Sequence, residues 1–253
     1  MDTVSFGDRT VAAEDKEELV KAVFDSVAPA YDLMNDLMSG GLHRVWKSVL
    51  LDRLAPQPGQ TLLDVAGGTG DIARGFLKRA SERPPRDRAP AKAIICDINH
   101  AMMVAGQATH QEGGGDGQLT AVCGNAEALP LPNNSVDRYT IGFGIRNVTH
   151  RDRALKEAYR VLKPGGRFMC LEFSRPVTDG FEELYRAYSD HVIPTMGGLV
   201  TGDRDSYHYL VESIKRFPPQ DAFQLEVEAA GFVRTGYENL TGGVVALHGG
   251  WKI

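Results

Sequence analysis

The sequence predicts an α/β protein built on a mostly parallel, Rossmann-like sheet, and three observations support this prediction. Five short apolar runs follow one another along the chain, separated by helical or loop stretches: TLLDV, AIICDI, LTAVCG, RYTIGFG and RFMCLEF. A glycine-rich turn, AGGTG, directly follows the first run. Near the C-terminus, GFVRTGYENL and GGVVALHGG alternate and face each other across a short polar turn. Runs that are apolar on both faces indicate a covered parallel sheet, and the alternating pair indicates an antiparallel hairpin.

Helices are predicted ahead of the first strand. In EDKEELVKAVFDSVA, apolar residues recur at helical spacing behind an acidic stretch that suits a helix N-terminus. A second helix is predicted over GLHRVWKSVLLDRL, and APQPG ends it. Its apolar stripe comprises Leu42, Val45, Trp46, Val49, Leu50 and Leu54. We expect Trp46 to anchor the core, and we predict that residues 1–58 form a helical lid region that excludes water from a bound substrate.

The order of the remaining elements narrows the fold class. The helix between the fourth and fifth runs, DRALKEAYRVLKPGG, ends at a proline and two glycines. Five parallel strands followed by an antiparallel hairpin is the order expected of a class I S-adenosylmethionine (SAM) methyltransferase, whose sheet has seven strands. A plain Rossmann dehydrogenase would continue with a sixth parallel strand. We predict a single domain over residues 1–253, with a sheet core over 59–253 and a substrate-side insertion over 177–220.

Composition excludes several classes of protein. The chain has 42% apolar and 24% charged residues and a net charge of −5, which is typical of a globular protein. No basic stripe with interleaved aromatics suggests a nucleic-acid partner. Cys96, Cys123 and Cys170 lie far apart in apolar surroundings, so we expect buried, reduced thiols and no metal site. The N-terminus lacks signal-peptide or transit-peptide features, and no run reaches the roughly 18 apolar residues of a membrane span. We expect a reducing compartment, most simply a bacterial cytoplasm.

The glycine turn and two strand-end acids predict an adenosine site. Gly68, Gly70 and Ala73 satisfy G-x-G-x-x-A, which by itself is a weak nucleotide signal. Asp64 lies in the first strand and Asp97 ends the second. A carboxylate at the tip of the second strand can accept hydrogen bonds from both ribose hydroxyls of an adenosine. NAD-dependent and SAM-dependent enzymes share this arrangement, so these residues alone leave the cofactor open.

The surrounding residues favour SAM. Asp71 follows the turn directly and is a poor neighbour for the pyrophosphate of NAD, which binds at a helix N-terminus. SAM carries a positive sulfonium, which an acid-rich pocket suits. Asn125 and Ala126 follow the third strand, where a side-chain amide and a backbone N–H can read the adenine edge. The competing interpretation of Asp64 and Asp97 is ordinary capping of strand ends.

Several motifs extend well beyond a generic SAM core. They are YDLMNDLMSGGLHRVWK, LDVAGGTGDIA, CDIN, NAEALPLPNNSVD, FGIRNVTHRDRALKEAYRVLKPGG, LEFSRP, DSYHYLVESI and YENLTGGVVALHGGWK. With them the chain resembles the UbiE/COQ5 C-methyltransferases of ubiquinone and menaquinone biosynthesis, from about Phe6 to Ile253. The motifs outside the cofactor core make this resemblance specific.

The resemblance implies where SAM binds. Family contacts fall on Thr69, Asp97 and the pair Asn125 and Ala126. Many members carry a serine where this chain has Gly142, so a backbone group is expected to replace one side-chain hydrogen bond there. The complete predicted cofactor site is Asp64, Gly67, Gly68, Thr69, Gly70, Asp97, Ile98, Asn125, Ala126 and Gly142.

The resemblance also implies methylation of a ring carbon on a polyprenylated quinol: 2-polyprenyl-6-methoxy-1,4-benzoquinol, demethylmenaquinol, or both. The ring carbon becomes nucleophilic when a hydroxyl loses its proton, and a phenol of pKa about 10 needs a nearby cation or donor for this. Arg146 and Asn147 follow the fourth strand at the ligand-binding edge. We predict that Arg146 stabilises the phenolate and Asn147 fixes the ring. The alternative for Arg146 is an ion pair with a structural acid.

Other segments are assigned to the substrate side. Tyr31 is predicted to close over the substrate, with core packing as the alternative. His150, His191 and His208 are alternative proton acceptors, although each is also explained as a structural residue. The apolar segment around Met196 is predicted to form a wall for the prenyl tail.

Two other functions stay open, namely a SAM methyltransferase of another small aromatic acceptor and a non-catalytic SAM-binding member of a quinone-biosynthesis complex. Whether the protein joins such a complex or forms a homo-oligomer also stays open. With a net charge of −5 and no basic amphipathic helix, strong attachment to anionic lipid is not expected. Peripheral contact at the inner face of the membrane, through substrate or partner proteins, is the expectation.

Overall fold

The computed structural model describes residues 3–27, 35–36, 39–84, 89–109, 118–177 and 204–253. The chain opens with a small hairpin, β1 (Thr3–Phe6) and β2 (Arg9–Ala12), followed by helices α1 (Ala13–Val27) and α2 (Leu42–Leu54). The elements that follow are β3 (Thr61–Val65), α3 (Asp71–Ser81), β4 (Lys92–Asp97), α4 (His100–Thr109), β5 (Leu119–Cys123), β6 (Val136–Gly142), α5 (Arg151–Val161), β7 (Leu162–Phe173), α6 (Arg204–Arg216), α7 (Gln220–Ala229), β8 (Val233–Leu240) and β9 (Val245–Trp251).

Seven strands form the main sheet in the order β5-β4-β3-β6-β7-β9-β8. Strands β3 to β7 pair in parallel, whereas β9 pairs antiparallel with both β7 and β8. The predicted fold class, including the C-terminal antiparallel hairpin, is confirmed. The strand order reverses at β3, between β4 and β6. Open α/β sheets bind ligands outside the carboxyl ends of strands at such a switch point.

Alternating strand residues feed a separate core on each face of the sheet. On β3, Leu62 joins the cluster that contains Trp46 and Phe76, whereas Leu63 joins the cluster that contains Phe168 and Phe223. This period of two follows from the pleat, and both faces are covered by helices. Trp46 is only 3% exposed, which confirms its predicted role as a core anchor. The sheet is therefore packed on both faces beneath its ligand-binding edge.

The structure departs from the sequence analysis at four places. Leu42 and Val45 are 39% and 55% exposed, because the buried stripe of α2 runs mainly through residues spaced four apart from Trp46. Cys123 is exposed because β5 is an edge strand, whereas Cys96 and Cys170 lie on inner strands and are buried. The β1–β2 hairpin was not predicted, since its four-residue strands are too short to show a clear period. Strand β7 also begins earlier than the RFMCLEF run.

Part of the predicted substrate side falls outside the described residues. Tyr31, His191 and Met196 belong to it, and the division into a lid region, a sheet core and an insertion over 177–220 stays a prediction. In the part of the chain that the structure describes, no helix combines the length and the hydrophobicity needed to cross a bilayer.

Candidate active site

The turn between β3 and α3 brings the backbone to the centre of the ligand-binding edge. The Gly70 N–H donates to the Gly67 carbonyl at 2.8 Å, which closes the turn. Gly70 has a φ of 86° at the start of α3, and a Cβ there would lie 2.5 Å from Ile95 Cδ1. Gly68 has a φ of 53° and directs its N–H at a carboxylate of the neighbouring strand. The turn thus needs glycine for both its conformation and its close packing.

Asp97 is the acidic side chain that faces the cavity at the end of β4. Its Oδ2 accepts the Gly68 N–H at 2.8 Å, and its Oδ1 accepts the Asn99 N–H at 2.8 Å. Burial raises the pKa of Asp97, and the backbone N–H groups oppose that rise. Each oxygen keeps lone-pair capacity, so the carboxylate can accept two further hydrogen bonds from a vicinal diol.

Asp64 lies beneath the turn and does not contribute to the cavity wall. Its Oδ1 accepts the Thr140 hydroxyl at 2.7 Å, and burial raises its pKa to about 7. A Cβ on Gly67 would lie 3.1 Å from Asp64 Oδ2, so the carboxyl supports the turn from below. The predicted direct cofactor contact of this side chain is therefore replaced by a supporting position.

A cleft of about 840 Å³, including its solvent-open part, lies above the carboxyl ends of the strands. Among the residues that the structure describes, the charged groups of its wall are three carboxylates and one lysine, namely Glu17, Asp97, Glu127 and Lys21. The net negative wall favours a cationic ligand such as a sulfonium.

Helix α1 supplies part of the wall, through Glu17, Val20, Lys21 and Phe24. Beside them, Lys16 is buried and donates to the Val148 carbonyl at 3.3 Å, and burial lowers its pKa. Helix α1 thus forms one side of the cavity, and its action as a lid stays a prediction.

Two side-chain amides fasten α1 to the sheet. Asn125, which follows β5, donates its Nδ2 to Glu17 Oε2 at 2.8 Å. Asn99, which follows β4, donates its Nδ2 to Asp25 Oδ1 at 2.8 Å. The Oδ1 of Asn125 also accepts the Glu127 N–H at 2.8 Å. The NH₂ group of Asn125 is thus taken by Glu17, whereas its predicted contact with adenine stays a prediction.

The structure gathers most of the predicted cofactor residues around the cleft. Those that line it are Gly68, Asp97, Ile98, Asn125, Ala126 and Gly142. Gly67, Thr69 and Gly70 lie in the turn behind them. The Thr69 backbone packs on α4, where a Cβ at Gly106 would lie 2.4 Å from the Thr69 carbonyl oxygen.

Sequence reasoning missed other wall residues. They are Val65, Ala66, Asn99, Met102, Gly124, Glu127, Phe143, Gly144, Val148 and Thr149, together with the α1 residues. Most directly follow a predicted strand end, which was a usable signal. The α1 residues gave only an amphipathic pattern, which does not say where the helix docks.

Arg146 lies in the short 3₁₀ turn Ile145–Asn147, and its guanidinium is turned away from the cavity wall. Its Nη1 donates to Glu172 Oε1 at 2.8 Å and also to the Phe143 carbonyl, and its Nε donates to Ser213 Oγ at 3.3 Å. Burial raises the pKa of Glu172, and Arg146 opposes that rise. The geometry matches the alternative interpretation, a pair with a structural acid, because a buried carboxylate needs such a partner.

Asn147, in contrast, lines the cavity. Its Oδ1 accepts the Tyr209 hydroxyl at 3.0 Å.

Of the candidate histidines, His150 donates its backbone N–H to Glu127 Oε1 at 3.0 Å, and His208 is exposed on α6. Among the residues that the structure describes, no three His, Cys, Asp or Glu side chains are placed to hold a metal ion.

The residues of the cleft fit SAM. Asp97 can accept hydrogen bonds from a ribose diol, the glycine turn allows close approach, and the acidic wall suits a sulfonium. Asp71, the first residue of α3, forms an ion pair with Lys47 at 2.7 Å. The strand order and this site define a class I SAM-dependent methyltransferase.

Comparison with known proteins specifies the family. The sequence profile of the ubiE/COQ5 methyltransferase family matches residues 10–252, and the chain belongs to this family, as predicted. It is 55% identical to the "Ubiquinone/menaquinone biosynthesis C-methyltransferase UbiE" of Dinoroseobacter shibae over 99% of this chain and 97% of that protein. The protein of the same name from Caulobacter vibrioides is 54% identical, with 99% and 98% covered.

Solved structures support the fold. A SAM-dependent methyltransferase from Aquifex aeolicus superposes with a TM-score of 0.57 at 17% identity, over 82% of this chain and 89% of that one. Such a distant likeness shows the fold alone, because one fold hosts many chemistries.

Proposed function

We propose that this methyltransferase transfers the methyl group of SAM to a ring carbon of a polyprenylated quinol. The acceptor would be 2-polyprenyl-6-methoxy-1,4-benzoquinol, demethylmenaquinol, or both. The observation that carries the proposal is that one cleft contains both the Asp97 end, suited to adenosine, and Asn147, a polar side chain at the end of β6. Relatives that are more than half identical and carry quinone-biosynthesis names support the choice of acceptor.

The bound cofactor supplies an electrophilic methyl group on a positively charged sulfur. The main task of the protein is then positioning, because an in-line displacement requires the acceptor carbon to be held opposite the leaving group. Asp97 and the glycine turn fix the adenosine end, while Phe24, Phe143 and Val148 provide apolar wall for the ring. Helix α1 lies across the cleft and excludes water from the charged centre.

A quinol hydroxyl must lose its proton for the ring carbon to react. We assign Asn147 to this oxygen, because an amide donor favours the anionic form. Arg146 contributes indirectly: its pair with Glu172 holds the turn from which Asn147 projects. The predicted direct role of Arg146 at the phenolate is not part of this proposal.

The prenyl tail of such a substrate implies contact with a membrane. We propose peripheral contact at the inner face of the cell membrane, made through the substrate or through partner enzymes of quinone biosynthesis. Co-sedimentation with liposomes that contain or lack the quinol tests this. Binding that does not depend on the quinol would contradict substrate-mediated contact.

The reaction is tested with purified protein, methyl-labelled SAM and each quinol under anaerobic conditions. Label in a carbon-bound methyl of either product is expected, and the two acceptors in parallel reveal the ring preference. The oxidised quinones are the matched control, because without a ring hydroxyl they cannot form the phenolate. If S-adenosylhomocysteine binds but neither quinol gains label, another acceptor or a non-catalytic role replaces this proposal.

A further inference from the structure

Helix α6 holds the turn after β6 through two residues on one face. Tyr209 and Ser213 are four positions apart, which places them on the same side of the helix. The Tyr209 hydroxyl donates to Asn147 Oδ1 at 3.0 Å, and Ser213 Oγ accepts from Arg146 Nε at 3.3 Å. Two successive residues of the turn are therefore fixed by successive turns of one helix. These contacts give the DSYHYLVESI motif a structural purpose.

The ring of Tyr209 is itself held in place. It stacks on Phe6 of the N-terminal hairpin, with ring centroids 4.4 Å apart and an interplanar angle of 27°. The side chain is buried, and burial raises the pKa of Tyr209 to about 12. The hydroxyl therefore keeps its proton near neutral pH and remains a hydrogen-bond donor.

The hydrogen bond from Tyr209 leaves one end of the Asn147 amide for a ligand. Because Oδ1 accepts from Tyr209, the NH₂ group is the remaining polar end of the side chain. Within the described residues no acceptor takes Asn147 Nδ2, and Asn147 lines the cleft. An NH₂ donor can bind an oxygen that carries negative charge, whereas a carbonyl oxygen in the same place would repel it.

We infer that Tyr209 is a positioning residue, which acts through Asn147 by fixing its NH₂ group toward the cleft as the donor to the quinol oxygen that becomes anionic. This inference rests on the proposed function. Loss of the Tyr209 hydroxyl lets the amide rotate and present its oxygen, which disfavours the phenolate and slows methyl transfer. Cofactor binding at the Asp97 end is not expected to change.

The test is Tyr209→Phe, which keeps the ring and its stacking on Phe6. We expect kcat near neutral pH to fall by about 10- to 100-fold. This is less than the roughly 100- to 1,000-fold lost when a preorganised donor is removed outright, because Tyr209→Phe leaves the Asn147 amide in place. The affinity for S-adenosylhomocysteine should stay within about twofold, as should the KM of the quinol. The matched control is Tyr237→Phe, which removes an exposed hydroxyl bonded to Asp221 at 2.7 Å, away from the cleft.

The pH profile separates positioning from a general structural effect. Weaker stabilisation of the phenolate shifts the acidic limb of the kcat profile to higher pH, so that wild type and Tyr209→Phe converge as pH rises. The charged groups of the wall (Glu17, Lys21, Asp97 and Glu127) and Arg146 behind it are the same in both proteins. A shift of the acidic limb between the two kcat profiles is therefore caused by loss of the Tyr209 hydroxyl.

A double variant completes the test. Tyr209→Phe should add little to the loss caused by Asn147→Ala, because both remove the same donor. Three results would each overturn the inference: additive losses in the double variant, an unchanged kcat in Tyr209→Phe, or a loss of kcat that is equal at every pH. Because the wild type would still methylate the quinol, the proposed function would stand. A wild type that binds cofactor but methylates neither quinol would overturn both.

Discussion

Replacement of Asp97 by asparagine tests the cofactor site most directly. The wild-type carboxylate accepts one backbone N–H on each oxygen, from Gly68 and from Asn99, both at 2.8 Å. In Asp97→Asn, one of these N–H groups must face the amide NH₂, donor against donor. The remaining oxygen still accepts, so one charge-assisted hydrogen bond to the ribose is lost outright.

The magnitude follows from that loss. A hydrogen bond to a charged group contributes about 1.5–3 kcal/mol. At about 1.4 kcal/mol per tenfold change, the Kd of SAM should rise by roughly 10- to 150-fold. The backbone N–H left without an acceptor should cost the unliganded protein about 1–3 kcal/mol of stability. Removal of a buried charge offsets part of that cost, because burial disfavours the charged form of Asp97.

Isothermal titration calorimetry with SAM and with S-adenosylhomocysteine measures the effect, and urea unfolding without ligand checks the fold. Asp71→Asn is the matched control, since Asp71 lies beside the same turn but forms an ion pair with Lys47 outside the wall. Its Kd should change by less than about threefold, as expected for a partly exposed pair. An Asp97→Asn protein that binds as tightly as wild type would refute the assignment of this carboxylate to the ribose.

Three further predictions follow from individual contacts. Gly142→Ser should tighten SAM binding by about 2- to 10-fold, because the new hydroxyl can add one neutral hydrogen bond. The serine should fit, since its Cβ would meet only the flexible end of Ile72, at 2.7 Å. Weaker binding in calorimetry would contradict this prediction. Glu17→Ala removes the acceptor for Asn125 and should speed SAM dissociation about 3- to 10-fold in stopped-flow fluorescence, whereas an unchanged rate would show that this bond does not hold the lid. Burial lowers the pKa of His248 to about 4, below the ordinary 6.5, so the unfolded chain binds the proton at a higher pH than the folded protein does. The folded protein should therefore lose about 3 kcal/mol of stability as the pH falls from 6.5 toward 4, and should have that stability in full above pH 6.5. Urea unfolding of His248→Gln should lack that part of the pH dependence.

The placement of the glycine turn beside Asp97 was predictable because its signals are local. A glycine turn after a buried strand and an acid at the tip of the next strand have few alternative arrangements in a parallel sheet. Parallel strands bring these ends to one edge, which places Gly68 beside Asp97. The parallel strands and the antiparallel C-terminal hairpin were predicted similarly, from the change between apolar runs and alternating segments.

The orientation of the polar side chains was not predictable in this way. Arg146 was expected at the ring, but Glu172 lies 26 positions further along the chain and takes its guanidinium. Asn125 was expected to read adenine with its amide, but Glu17, 108 positions earlier, accepts the NH₂ group. Short-range patterns carry no information on such pairs.

The sequence by itself determined the fold class, the family and the strand ends that meet at the cleft, because periodicity, turn chemistry and motif content are properties of short segments. Only the tertiary structure decided that α1 forms part of the cleft wall and that the hydroxyl of Tyr209, 62 positions from Asn147, bonds to its amide oxygen. A buried polar group must find a partner, and which partner it finds depends on what packing brings within about 3 Å.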